Sequence, residues 1–90
     1  MKDHPDNPYL SWSEAERLSR DVHRLPAYVE EALREEGLDA AYRSRPAYQK
    51  NDYVGWIVRA KRESTRQKRL AQMIDELAAG DKYMKMDYRA

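Results

Sequence analysis

Between Pro46 and Lys61 the apolar side chains keep a helical rhythm. Tyr53, Trp56, Ile57 and Ala60 fall at i, i+3, i+4 and i+7, and Val54 and Val58 broaden the stripe. A strand has a side-chain period of two and cannot gather that set on one face, so the stretch is predicted to be a helix with one buried side. It is the most apolar part of the chain and is expected to form the core. Gly55 lies in its middle, at a cost of about 1 kcal/mol against alanine, and suggests that another backbone passes close by.

The same period recurs on both sides. A first helix is expected from Ser11 or Ser13, each followed three residues later by a glutamate, Glu14 or Glu16, in capping-box spacing. Its stripe is Ala15, Leu18, Val22 and Leu25, and Pro26 stops it. A second helix runs from Pro26 to Glu36 on Val29, Ala32 and Leu33, with Gly37 as the residue beyond its end. A short third helix spans Leu38 to Ser44, with Leu38, Ala41 and Tyr42 as its apolar face. The last helix starts near Ser64, where Ser64 and Gln67 have capping-box spacing, and ends at Gly80. Leu70, Met73, Ile74, Leu77 and Ala78 are expected to face inward, and Gln72, Asp75 and Glu76 outward.

The fold expected is all-α: a small single-domain bundle of about five helices with short loops and an extended C-terminal tail. Residues 1–8, with two prolines, an asparagine and two aspartates, read as a turn-rich or disordered lead. Residues 9–80 read as the helical domain and 81–90 as the tail. There Met84, Met86 and Tyr88 alternate with Tyr83, Lys85 and Asp87. An extended arm on the bundle and a disordered tail both fit that pattern.

Ninety residues allow one small core. The chain has no cysteine, which excludes disulfides, thiolate zinc sites and a cysteine nucleophile. No apolar run is long enough to span a bilayer, and no secretory leader is visible before Pro8, so a cytoplasmic address is expected. The only histidines, His4 and His23, lack the i, i+4 partner of a helical metal pair. His23 is expected at the end of the first helix, where an imidazolium complements the dipole. The acid pairs Glu30/Glu31 and Glu35/Glu36 lie in solvated runs, and Gly37, Gly55 and Gly80 are too isolated to cradle a phosphate. The expectation is a non-enzyme with no cofactor and no metal.

Charge is uneven along the chain. The net is +1, yet residues 1–40 carry five basic and ten acidic groups against twelve and six in residues 41–90. Two readings stand: attraction between the halves of one bundle, or a basic face for an acidic partner. The densest run is Arg59 to Arg69, which holds Arg59, Lys61, Arg62, Arg66, Lys68 and Arg69. Arg62, Arg66 and Arg69 share a helix flank. Such a ridge is either a solvated face, with Arg66 or Arg69 gripping a carboxylate of the second helix, or an anion-binding surface for an acidic protein or a nucleic acid. Backbone N–H groups near Ser64 and Thr65 would add to it. Tyr28, Tyr42, Tyr48 and Tyr53 do not interleave with the run and are expected at the edge of the core with their hydroxyls in water.

The pattern Ala60-Lys61, Thr65-Arg66 and Arg69, then Leu77-Ala78-Ala79-Gly80, resembles the YdeI/OmpD-associated family, also labelled bacteriocin-protection proteins. Upstream, Pro26 with Glu31-Ala32-Leu33, then Ala40-Ala41-Tyr42, then Tyr53, Trp56 and Ile57 are similar to its other segments, so that the resemblance covers about residues 25–80. Glu63 and Ser64 stand where family members often carry Pro-Glu. Many members also have an additional N-terminal domain, in whose place this chain has its first helix and a tail. The resemblance implies an all-α module tied to envelope stress and antimicrobial-peptide resistance through association with an outer-membrane porin, and it brings no catalytic residues.

The function expected is therefore a non-catalytic helical interaction module. Its candidate contact residues are Lys61, Arg62, Thr65, Arg66 and Arg69, and its expected partner is a protein with an acidic surface. Nucleic-acid binding through the same ridge is the alternative, and the near-neutral net charge counts against it.

Overall fold

The computed structural model describes residues 3–89. Among these described residues nine elements follow one another: β1 (Asp3–His4), β2 (Asn7–Ser11), α1 (Trp12–Glu16), α2 (Ala27–Glu35), α3 (Asp39–Arg43), α4 (Ala47–Arg59), α5 (Glu63–Ala79), β3 (Lys82–Tyr83) and β4 (Met86–Asp87). The helices dominate, but the all-α expectation is overturned by two small antiparallel hairpins, β1–β2 and β3–β4, which flank them in sequence.

The core is built where the apolar rhythm placed it. Val54, Ile57 and Tyr53 of α4 pack with Leu70, Met73 and Leu77 of α5, Val29 and Leu33 of α2, and Tyr42 of α3. Gly37 and Gly80 end α2 and α5 with φ of 66° and 84°, the left-handed conformation that glycine adopts without a Cβ penalty.

The first hairpin occupies most of the stretch expected to be a turn-rich or disordered lead; Met1 and Lys2 of that stretch lie outside the described residues. Its turn uses Pro5 and Asp6 between the paired residues His4 and Asn7. Strand β2 is no solvated edge, because Asn7 and Leu10 are fully buried and Tyr9 nearly so. The Asn7 side chain accepts from the Tyr9 amide at 3.0 Å and donates to the Tyr42 hydroxyl at 3.4 Å, which ties the strand to α3.

The capping box of Ser11 and Glu14 forms as spaced, each side chain bonded to the other's backbone N–H at 3.1 Å. The helix it opens does not continue to Leu25. It ends at Glu16, and the chain crosses from Arg17 to Pro26 without regular structure. Tertiary partners take the backbone groups that a longer helix would have paired. The Asn51 side chain accepts the His23 N–H at 2.8 Å and donates to the Asp21 carbonyl at 3.0 Å. The Leu25 N–H donates to the Asp6 carbonyl at 2.7 Å. His23 is thus half-buried on an irregular segment rather than at a helix end.

The C-terminal tail is a hairpin and not a single extended arm. Met84 and Lys85 form its two-residue turn with φ of 50° and 64°, the positive pair a tight hairpin demands and side-chain-bearing residues resist. What holds them there is the Glu76 carboxylate, which accepts both turn amides, from Met84 at 2.9 Å and from Lys85 at 2.7 Å. Ala90 lies outside the described residues.

Candidate functional site

The basic run forms the corner between α4 and α5, and its cations do two different things. The last carbonyls of α4 have no partner within the helix. Arg69 reaches back from α5 and donates to the Trp56 carbonyl at 2.6 Å, with its guanidinium 5.3 Å above the centre of the Trp56 ring. Arg66 donates to the carbonyls of Ala60 and Lys61 at 2.8 and 3.3 Å and pairs with Glu63 at 2.7 Å. These two arginines cap α4 from the neighbouring helix, where cations also oppose its dipole favourably. Neither grips a carboxylate of α2.

The other cations are unengaged. Arg59, Lys61, Arg62 and Lys68 are exposed and have no ion-pair partner among the described residues. Thr65 is half-buried in the first turn of α5, its N–H donating to the Arg62 carbonyl at 3.1 Å. The capping box of Ser64 and Gln67 does not form: Arg62 is the N-cap residue, without a side-chain cap, and Gln67 donates instead to Glu63 at 2.8 Å. Of the five expected contact residues, Lys61 and Arg62 are free to meet a partner. Thr65 is partly covered, and Arg66 and Arg69 are committed to the corner.

Three buried polar side chains, none of which belongs to an apolar stripe, fasten the remaining elements together. Lys50, on α4 and only 1% exposed, donates to the carbonyls of Tyr9 and Arg43 at 2.8 and 3.0 Å and pairs with Glu14 at 3.0 Å. It fastens β2, α1 and α3 to α4. Burial alone would raise the Glu14 carboxyl; the Ser11 amide and the Lys50 ammonium outweigh it and hold the group below the ordinary glutamate value. Glu76, expected to face water, is buried. Besides the turn amides it accepts the Tyr53 hydroxyl at 2.5 Å and the Gln72 amide at 3.1 Å. Its burial is likewise outweighed by these donors, so its carboxyl also stays below the ordinary range. Arg45, 5% exposed, bonds the Glu76 carbonyl at 3.1 Å and lies over the Tyr88 ring.

Tyr42 and Tyr53 are fully buried, with their hydroxyls bonded to the Lys50 carbonyl and to Glu76, and not placed at a wet core edge. For Tyr53, burial and then the Glu76 carboxylate push the phenol well above its usual value. The signal for Lys50 and Glu76 was their position: Lys50 stands three and four residues before Tyr53 and Val54, and Glu76 three residues after Met73, so both share a helix side with core residues. Which long-range acceptors and donors they meet is not a periodic property.

Among the described residues no group of histidine, aspartate and glutamate is arranged to hold a metal ion, and no helix is long and apolar enough to cross a membrane. Comparison with curated proteins and with solved structures finds no match. A family model does match: residues 23–80, which contain α2 to α5 and the whole cationic corner, fit the model described as bacteriocin-protection, YdeI or OmpD-associated. The chain belongs to that family.

Proposed function

We propose that the chain is a non-catalytic interaction module that holds an acidic protein surface against the corner between α4 and α5. The observation that carries this reading is the division within the basic run. Arg66 and Arg69 tie the corner's backbone carbonyls to α5, while Arg59, Lys61, Arg62 and Lys68 stand exposed beside it without a carboxylate partner among the described residues. A tethered backbone spares binding the cost of ordering the corner, leaving only the side chains to be immobilised, and clustered cations steer an oppositely charged partner toward them. The family description speaks of bacteriocin protection and of association with OmpD. Both phrases suit a role exercised by contact with another protein, and resistance to antimicrobial peptides at the envelope is the process that such contact would serve.

The test is affinity capture from the native host with the full chain and with the variant Arg59→Glu/Lys61→Glu/Arg62→Glu/Lys68→Glu. The substituted positions are exposed, so the unfolding midpoint should stay where it is while the captured protein is lost. Capture by the unaltered chain should weaken as salt screens the corner. Recovery of the same protein by the variant refutes the assignment. A gel shift of nucleic acid at low salt, abolished by the same substitutions, would transfer the corner to nucleic-acid binding.

A further inference from the structure

A second surface carries the opposite charge. Between α2 and α5 lies a groove of about 230 Å³. Its floor is aliphatic, made by Ala32 of α2 with Leu70, Ala71 and Ile74 of α5. Its rim is acidic on both sides, with Glu35 and Glu36 at the end of α2 and Asp75 on α5. All three carboxylates are exposed and have no partner among the described residues. Arg34, the cation nearest in sequence, turns away to Glu30 at 3.3 Å.

This arrangement is unfavourable in the free chain. Glu35 and Glu36 stand at the C-terminal end of α2, where the helix dipole disfavours anions. Asp75 lines the same groove and adds a third negative charge to it, and the apolar floor is open to water between them. An occupant that relieves all three must bring aliphatic groups to the floor and cations to both walls. A helix with aliphatic residues one turn apart and lysine or arginine on either side has that outline, and laying such a face between two helices is an established mode of recognition. We infer that the α2–α5 groove docks a basic amphipathic helix of another protein, an aliphatic anchor or two resting on Ala71 and Ile74 and its cations on Glu35, Glu36 and Asp75. These side chains are separate from the four exposed cations of the corner, so the inference does not depend on the function proposed above.

The probe is a fluorescently labelled synthetic amphipathic helix of leucine and lysine, titrated against the full chain at low ionic strength and followed by anisotropy. A peptide of the same charge with serine in place of leucine should bind at least about tenfold more weakly, because cations alone leave the floor wet. Glu35→Lys/Glu36→Lys/Asp75→Lys should weaken the leucine peptide at least about tenfold. Ala71→Lys should do the same by placing a charge on the floor. All these positions are exposed, and circular dichroism should show that each variant remains helical. Reversing Arg59, Lys61, Arg62 and Lys68 should leave the peptide's affinity undiminished, which separates this groove from the corner. Equal binding of the serine peptide, or unchanged binding by either groove variant, overturns the inference. So does sedimentation of the unaltered chain as a dimer that the same reversals dissociate, since the groove would then belong to a second copy.

Discussion

A β-carbon built on Gly55 would stand 2.6 Å from Nε2 of His23. The close approach that the mid-helix glycine implied is therefore real, but the group that approaches is an imidazole and not a backbone. Gly55→Ala brings two opposed effects: a gain of about 0.5–1 kcal/mol in helix propensity and displacement of the His23 ring from α4. Displacement should win, for a net loss of about 1–2 kcal/mol. In a His23→Ala background the clash is gone and Gly55→Ala should stabilise. Urea unfolding of the four proteins of this double-mutant cycle measures the coupling; an equal effect of Gly55→Ala in both backgrounds would show that the ring does not oppose it.

Lys50 is expected to be the most sensitive charged position. Replacing it by methionine keeps much of the apolar stem but strips the Tyr9 and Arg43 carbonyls of their donor and leaves Glu14 unpaired. Glu14 is partly exposed and can rehydrate; the two carbonyls are less able to. A loss of about 2–4 kcal/mol should result, a large part of the stability of a domain this small. Lys50→Met/Glu14→Gln should recover part of it by removing the stranded charge. Denaturant midpoints of the single and double variants provide the comparison.

How far the fold was legible follows from which interactions are local. The stripes Val29, Ala32 and Leu33, Tyr53, Trp56 and Ile57, and Leu70, Met73, Ile74 and Leu77 lie within single helices, so their period gives α2, α4 and α5 nearly to the residue. The stripe Ala15, Leu18, Val22 and Leu25 has the same spacing and fails, because Asn51 and Asp6 claim the backbone of Asp21, His23 and Leu25 from a distance. The lead read as turn-rich and the tail's alternation allowed an extended arm, but the pairing of each into a hairpin was missed for the same reason. Neither turn at Met84-Lys85 nor strand β2 bears a local signature; Glu76 holds the one and Lys50 the other. At the candidate site, the run of cations was plain in the sequence. Its division into capping and free members depends on which of them can reach the end of α4.

The Glu76 latch should give stability a defined acid dependence. Its carboxyl lies below the ordinary value in the folded chain, so its contribution is complete above the unfolded pKa of about 4.3 and is lost as pH falls through the lower folded value. Thermal unfolding from pH 7 to pH 2 should show a fall that begins near pH 4–5. Glu14, depressed in the same direction, contributes to the same fall, so Glu76→Gln should lessen it and not abolish it. At neutral pH that variant should cost about 1.5–3 kcal/mol, the range for hydrogen bonds to a charged group, and hydrogen exchange at Met84 and Lys85 should quicken. Unchanged exchange at both turn amides would show that the carboxylate does not hold the hairpin.

The corner offers the sharpest contrast between neighbouring cations. Arg69→Ala removes the donor to the Trp56 carbonyl and the guanidinium that covers its ring. Arg66→Ala frees the Ala60 and Lys61 carbonyls. Each should lower stability by about 1–2 kcal/mol. Arg69→Lys should restore only part, since an ammonium cannot present a planar fork to the carbonyl and the ring together. Arg62→Ala and Lys61→Ala touch no such partner and should stay within about 0.5 kcal/mol of the parent. Thermal melts of the five variants at the same pH and salt separate the two groups. If all four alanine variants melted with the parent, the run would be one solvated face without internal division, and the free cations would lose the distinction on which the binding reading rests.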